Sequence, residues 1–421
     1  MKILFFSYYN PLGKGGFEKQ GMGLMKTLAN QGHEIACLTI STPSNQAQIK
    51  SDLEATKIFK LSYTIIYHTD NPYTKISQLL FWLNTHPSKY LAHQKPNLNS
   101  KIQESIRNII AEQNIDLIHV LGLRSIYYLP TNLDKPTVLD LVDSMSLRKY
   151  RALEALRKSS NNNFSAYLYH FIDLYKTTRI EKDILKLYSK RCPVITISPI
   201  DRDYLLTIYH SDLIKSVTAG IDFDNQKSTL STKPISTFRK RIVFYGFIQE
   251  HNIDALLYLI NDIIPIVQNV HSDLELRVTG INLPSIIFEL SQNLSWLNIE
   301  ASVDDIVEFI DSASLTCWPF RLGCGIKTKI LECMAFGKPV VTTTIGAEAL
   351  TKSQKKGLLI ADTAQGLADH IIYLLDNPNE RLRLGEINHQ IAIKDFTWEK
   401  KAQDYLKLYQ LAQQQIKDKD L

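Results

Sequence analysis

Apolar positions along the chain alternate between short solid blocks and stripes of helical spacing. Residues 3–7 form an apolar block that predicts a buried strand, and the turn Gly13-Lys14-Gly15-Gly16 leads from it into a helix. That helix carries Leu24, Met25, Leu28 and Ala29 on one stripe and stops at Gly32, after which residues 35–40 predict the next strand. A strand, helix and strand in that order open a parallel α/β sheet. Further strands are predicted at residues 65–67, 117–121 and 137–141, and Ile102, Ile106, Ile109 and Ile110 have the spacing of a helix covering one sheet face. Residues 144–190 read as helical with a polar loop at Ser159-Ser160-Asn161-Asn162-Asn163, and residues 194–198 add a short strand before a helix opening at Pro199.

The pattern then restarts. Residues 225–238 are rich in Ser, Thr and Lys and contain Pro234, a composition that suits a linker. Beyond them come a strand at 241–245 ending in Gly246, a helix at 253–264, and strands at 274–278 and 314–318. A glycine loop runs into a helix over 323–337, a strand follows at 339–343, and helices are predicted at 367–375 and 398–411. The expected organisation is a first domain at 1–220, a linker at 221–238, a second domain at 239–395 and a terminal segment at 396–421. The fold class is α/β, with two Rossmann-like parallel-sheet domains. In the terminal helix, Trp398, Ala402, Tyr405, Leu406 and Tyr409 need an apolar surface to cover.

Composition supports two cores. A chain of 421 residues exceeds the roughly 250–300 at which single cores stop growing, and 44% hydrophobic residues suffice to fill both. The net charge of +5 is too small to argue for nucleic acid, yet it suits a phosphate-bearing ligand or an acidic membrane surface. Five scattered cysteines, Cys37, Cys192, Cys317, Cys324 and Cys333, indicate neither a disulfide frame nor a metal site. The opening apolar run lacks a cleavage signal and no later run is long enough to span a bilayer, so the expected location is the cytoplasm or the inner face of the membrane.

Candidate chemistry concentrates in Arg321-Leu322-Gly323-Cys324-Gly325-Ile326-Lys327-Thr328-Lys329-Ile330-Leu331-Glu332, which follows a strand. Glycines let a backbone approach a phosphate, helix N–H groups and lysines neutralise it, and Glu332 offers an acceptor for sugar hydroxyls. The plainer reading makes Gly323 and Gly325 a tight turn, the lysines solvent-facing and Glu332 a surface residue.

From Pro319 to Thr343, with Gly346-Ala347-Glu348 after it, the sequence closely resembles the donor-site signature of GT-B glycosyltransferases of family 4, also called group 1, in the subgroup with a Gly-x-Gly-x-Lys-x-Lys-x-x-Glu loop. The resemblance extends through Gly15-Gly16, Leu28-Ala29-Asn30-Gln31-Gly32-His33-Glu34, Ala219-Gly220-Ile221-Asp222, Phe244-Tyr245-Gly246 and Phe396-Thr397-Trp398. It implies a GT-B fold with the two domains facing across a cleft, an acceptor-side first domain, a donor-side second domain and a C-terminal helix crossing back to the first. It implies a retaining transferase that moves a sugar from a nucleoside-diphosphate sugar to a glycan or lipid-linked acceptor in surface polysaccharide synthesis, without metal or other cofactor. Glu332 falls on the second Glu of the family's Glu-x7-Glu pattern, which binds the nucleotide ribose, whereas the first is Cys324 here. Relatives carry Arg and Lys after the glycine that aligns with Gly246; this chain has Phe247 and His251, and the resemblance passes that charge to Lys327 and Lys329. The donor-binding set is then Gly15, Gly16, Gly246, Gly323, Cys324, Gly325 and Glu332. Leaving-group stabilisation falls to Lys327, Lys329 and the Gly15-Gly16 turn.

Asp140 and Asp143 end an apolar strand, where an acceptor contact and a helix cap are both open, and Asp143 joins the lysines as a catalytic candidate. His119 is expected in the core and His33 at a structural turn. Glu181 reads more readily as a solvated charge than as an acceptor contact. Lys149, Arg151, Arg157, Lys158, Lys176, Arg179, Lys182 and Lys186, interleaved with Leu153, Leu156, Tyr167, Phe171 and Leu174, offer either an anionic-membrane contact or ordinary surface charge. Competing functions are a GT-B sugar-nucleotide epimerase and a non-catalytic glycan-binding protein. A nicotinamide enzyme is disfavoured because neither glycine turn continues as Gly-x-Gly-x-x-Gly.

Overall fold

The computed structural model describes residues 1–13, 16–41, 46–66, 96–130, 133–158, 164–222, 240–247, 250–300, 303 and 305–417. Two compact units divide the chain, Met1–Gly220 with Lys401–Leu421, and Ile221–Lys400. The expected linker falls largely in residues 223–239, outside the described residues, as do Lys14, Gly15, Tyr67 and the loop at 159–163.

In the first unit the elements run β1 (Lys2–Ser7), α1 (Gly16–Asn30), β2 (Glu34–Ser41), α2 (Gln46–Ala55), β3 (Leu61–Ile66), α3 (Pro96–Gln113), β4 (Leu117–Leu121) and α4 (Leu123–Ile126). They continue as β5 (Thr137–Val142), α5 (Met145–Lys158), α6 (Phe164–Tyr188), β6 (Val194–Thr196), α7 (Pro199–Ile208) and β7 (Ile214–Ser216). All seven strands pair in parallel in the order β3-β2-β1-β4-β5-β6-β7. Alternation along each strand sends side chains to opposite faces. Leu4, Phe6, Leu38, Val120 and Leu139 share one core with Ile102, Ile106 and Ile109 of α3 and Ile180, Ile184 and Leu185 of α6.

The second unit contains β8 (Arg241–Phe247), α8 (Glu250–Tyr258), a π-turn (Leu259–Ile263), α9 (Ile264–Gln268), β9 (Glu275–Ile281), α10 (Ser285–Asn293), β10 (Leu297–Glu300) and α11 (Ile306–Asp311). Then follow β11 (Thr316–Trp318), α12 (Thr328–Ala335), β12 (Val340–Thr342), α13 (Thr344–Ala347), β13 (Leu358–Ile360), α14 (Ala364–Asp376), α15 (Pro378–Asp395) and only the first residues of α16 (Trp398–Lys417). Two parallel three-stranded sheets, β10-β9-β8 and β11-β12-β13, are joined by a parallel bridge between Ile242 and Leu315. Strand order therefore reverses between β8 and β11, and at such a point the crossover helices leave a crevice at the carboxyl ends. The single helix read at 253–264 starts earlier and passes through the π-turn at Leu259–Ile263, just ahead of Pro265, which has no N–H to give an α-helical ladder.

α16 returns to the first unit from Lys401 onward. Its Tyr405 hydroxyl donates to Asp140 Oδ2 at 2.6 Å, and Tyr409 Oη lies 2.7 Å from His119 Nδ1. His119 stacks on Phe5 with ring centroids 4.6 Å apart and turns Nε2 to Asp140 Oδ2 at 3.6 Å. Burial next to Asp140 raises the ionisation of both tyrosines well above its ordinary value, so they stay neutral donors. A buried carboxylate is tolerated only with such partners. Tyr405→Phe is expected to lower stability by about 2 kcal/mol, read as a shift of the urea midpoint of the transition that exposes the first unit.

Candidate functional site at the carboxyl edge of the second sheet

β8 and β11 lie on either side of the reversal point and deliver their carboxyl ends to one place. β8 ends in Tyr245-Gly246-Phe247, and the chain beyond β11 runs through Pro319 and Phe320 into the glycine loop and α12. An aromatic wall backs this edge: Trp318 packs on Phe244 and Tyr245 at centroid distances of 4.6 and 5.4 Å and stacks with Phe320 at 6.0 Å. Gly323 and Gly325 both have left-handed backbone, with φ of 100° and 71°. The turn reading of these glycines is thus correct as geometry.

What the turn delivers is charge. Lys327 stands at the N-cap position of α12, is 7% exposed, and donates from Nζ to the carbonyl of Cys324 at 2.8 Å. Lys329 donates to Glu332 Oε2 at 2.7 Å and lies 4.6 Å from the centre of the Tyr245 ring. The solvent-facing reading of these lysines fails for Lys327. Tyr245 also donates to Glu332 Oε2, at 3.1 Å. Burial, with Cys333 and Glu332 beside it, raises the ionisation of the Tyr245 hydroxyl well above its ordinary value, so it remains a donor. Both contacts fall on one carboxylate oxygen, and Oε1 has no hydrogen-bond partner among the described residues. It remains an acceptor on a part-buried side chain.

Gly246 is required twice over. Its φ is 130°, and a Cβ there would stand 2.8 Å from Lys329 Cε. A side chain at 246 would therefore push the end of Lys329 aside, on top of the backbone strain of the positive φ. At Gly323 an added Cβ would stand 3.3 Å from Lys327 Nζ and 3.6 Å from His251 Cβ, so His251 borders the loop where the resemblance expects a lysine. The side chain of Phe247 is outside what the structure describes. Arg321 turns aside, paired with both oxygens of Asp254 at 2.6 and 3.1 Å and covering the Tyr258 ring. Gly346 has no room for a side chain either, since a Cβ would meet Thr342 Oγ1 at 2.0 Å.

The first unit holds the remaining candidates. Gly16 is the first residue of α1, while Gly15 is not described. Asp143 forms a two-pronged pair with Arg148 at 2.9 and 3.0 Å. Asp140 is neither a helix cap nor solvent-accessible: it is buried, accepts from the backbone N–H of Val142 at 2.9 Å and holds Tyr405. Glu181 corrects the reading of it as a solvated charge. It is buried and accepts from the N–H groups of Met145 and Ser146 and from both the Ser144 and Ser146 hydroxyls, which caps the start of α5. Sequence reading missed Arg124, whose guanidinium lies 4.8 Å from the Tyr8 ring centre and 5.5 Å from that of Tyr9. The signal was present, because Tyr8-Tyr9 and Gly122-Leu123-Arg124 follow the two strands, β1 and β4, that flank the first sheet's own reversal point.

Residues 239–377 match the family model described as glycosyl transferases group 1. The matched segment spans β8 to α14 and contains Gly246, the glycine loop, both lysines and Glu332. An uncharacterised 44.6 kDa protein in the cps region of Klebsiella pneumoniae is 27% identical over 139 residues, 31% of this chain and 36% of that protein, so the match spans about a third of that relative. Solved structures share the architecture along nearly the whole chain. HepE of Anabaena, in complex with UDP and glucose, superposes with a TM-score of 0.60 at 14% identity over 97% of this chain and 98% of the other. Sucrose-phosphate synthase of Thermosynechococcus elongatus gives 0.65 at 17% identity over 97% and 98%. A glycosyltransferase of Rickettsia africae gives 0.66 at 14% over 98% of each chain. The fold is the GT-B two-domain fold, and the chain is glycosyltransferase-like.

Two consequences are measurable. Gly246→Ala is expected to destabilise the second unit by about 1–3 kcal/mol, visible as a lower melting temperature, because φ and space are both violated. Burial lifts the Glu181 carboxyl from 4.5 to about 7, with the Ser146, Ser144 and Met145 hydrogen bonds opposing. Between those values the folded chain keeps a proton that the unfolded chain releases, so this group's stabilisation is full below about 4.5 and is lost as pH rises through about 7. Chemical denaturation across that range should show the slope in the parent and a flatter profile in Glu181→Gln.

Proposed function

We propose that the protein is a retaining glycosyltransferase that takes a sugar from a nucleoside-diphosphate sugar and places it on a glycan or lipid-linked acceptor in surface polysaccharide synthesis. The observation that carries this reading is the grouping of Lys327, Lys329 and Glu332 where strand order reverses, inside the segment that matches glycosyl transferases group 1. In sugar transfer the bond between the anomeric carbon and the phosphate oxygen breaks, and the bonding electrons leave with the diphosphate. Negative charge therefore grows on the leaving group while positive character grows at the anomeric carbon. Lys327 and Lys329, with the first N–H groups of α12, supply positive potential to the diphosphate without a separate base. Gly323, Cys324 and Gly325 give the backbone its approach to the phosphates, and Gly246 leaves that approach open from the β8 side. Glu332 accepts the ribose hydroxyls at Oε1 while Tyr245 and Lys329 hold its other oxygen. The acceptor oxygen attacks on the face the nucleotide leaves, with Asp143 assigned to the acceptor side. The nucleotide bound in HepE makes UDP-sugars the first donors to try.

The test is a melting-temperature screen with nucleotide sugars, followed by titration of the best donor into Glu332→Ala and Lys329→Ala. Each variant removes a charge-assisted contact, so donor affinity should fall about 10- to 100-fold. Donor affinity unchanged in both variants overturns the assignment. Transfer of labelled sugar to an added acceptor then separates a transferase from an epimerase, which would interconvert the sugar nucleotide alone.

A further inference from the structure

α5 and α6 pack against each other, and the two ends of α6 differ in burial. From residue 164 to residue 172 no side chain is buried, although six of these residues are large and apolar or aromatic. Phe164 is 76% exposed, Phe171 51% and Tyr175 62%, with Tyr167, Leu168 and Tyr169 also exposed. Burial begins at Asp173, and only the later turns, through Ile180, Ile184 and Leu185, reach the sheet. A water-soluble helix ordinarily turns such residues inward.

At about 100° per residue, Phe164, Leu168, Phe171 and Tyr175 share one stripe. The same stripe continues into Arg179, Lys182 and Lys186, all exposed and none with an ion-pair partner among the described residues. The acids of α6 stay off it: Asp173 is buried against Lys149 at 2.7 Å, Glu181 is buried under α5, and Asp183 projects to the side. Lys176, counted by sequence among the basic face, is buried as well. The structure thus sorts the basic segment into an inward part that stabilises the α5–α6 pair and an outward part in line with an aromatic strip. No helix among the described residues is long and apolar enough to cross a membrane.

We propose that this stripe of α6 docks on an anionic lipid surface. Phe164, Leu168, Phe171 and Tyr175 enter the interfacial layer, where aromatic rings are favoured, and Arg179, Lys182 and Lys186 lie against lipid phosphates. The uncompensated positive end of the stripe selects lipid over a second copy of this chain, whose identical stripe brings no acid to meet it.

The experiment is co-sedimentation of the full chain with phosphatidylcholine vesicles, with and without phosphatidylglycerol. Binding is expected to the anionic vesicles alone and to weaken at high salt. The double variant Phe164→Ser with Phe171→Ser should lose at least roughly tenfold in vesicle affinity at unchanged melting temperature, and Lys182→Glu with Lys186→Glu should weaken binding to anionic vesicles selectively. Three outcomes overturn the proposal: no sedimentation with either vesicle, a double variant that binds like the parent, or a dimer that the double variant dissolves without any vesicle affinity. Nucleotide-sugar melting shifts measured on the same variants should be unchanged, so a failed donor site and a failed membrane contact give different results.

Discussion

In its observed position Lys329 requires that residue 246 have no side chain: a Cβ there would be 2.8 Å from the lysine's Cε. That close approach sets the ammonium over the Tyr245 ring and against Glu332, and Tyr245 in turn holds the same carboxylate oxygen. Two strands far apart in sequence are thereby committed to one small charged patch, with the start of α12 behind it. A helix start and two lysines bring positive potential to this edge, which is what the proposed diphosphate site requires.

The first unit uses polar burial differently. Asp140 sits inside the sheet's helix-covered face, and its cost is offset by Tyr405 and the Val142 amide, with His119 beside it. The same contacts attach α16. Glu181 caps α5 from the neighbouring helix, so both carboxylates serve the architecture. At the same edge Asp143 pairs with Arg148, and the Arg124 guanidinium lies over the Tyr8 ring.

Strand positions were legible wherever apolar blocks were solid, as at Leu117–Leu121, and the restart of the pattern near Arg241 gave the second sheet. The short edge strands β7, β10 and β13 were not, because three or four residues at a sheet edge carry too little apolar content to stand out. The glycine loop and Glu332 were readable because the chemistry there depends on residue types at fixed spacing. Tyr245 as the partner of Glu332, 87 residues away, depends on strand order, which sequence periodicity does not encode. The burial of Glu181 was hidden for a related reason: a charge in a basic helix reads as surface until the serines that surround it fold back from residues 144 and 146.

The most direct test of the donor pocket is hydrogen–deuterium exchange of the parent protein with and without a saturating UDP-sugar. The account predicts slowed exchange of the backbone amides between Phe320 and Glu332 and at Gly246. Binding that leaves those amides unchanged and protects other segments would contradict it.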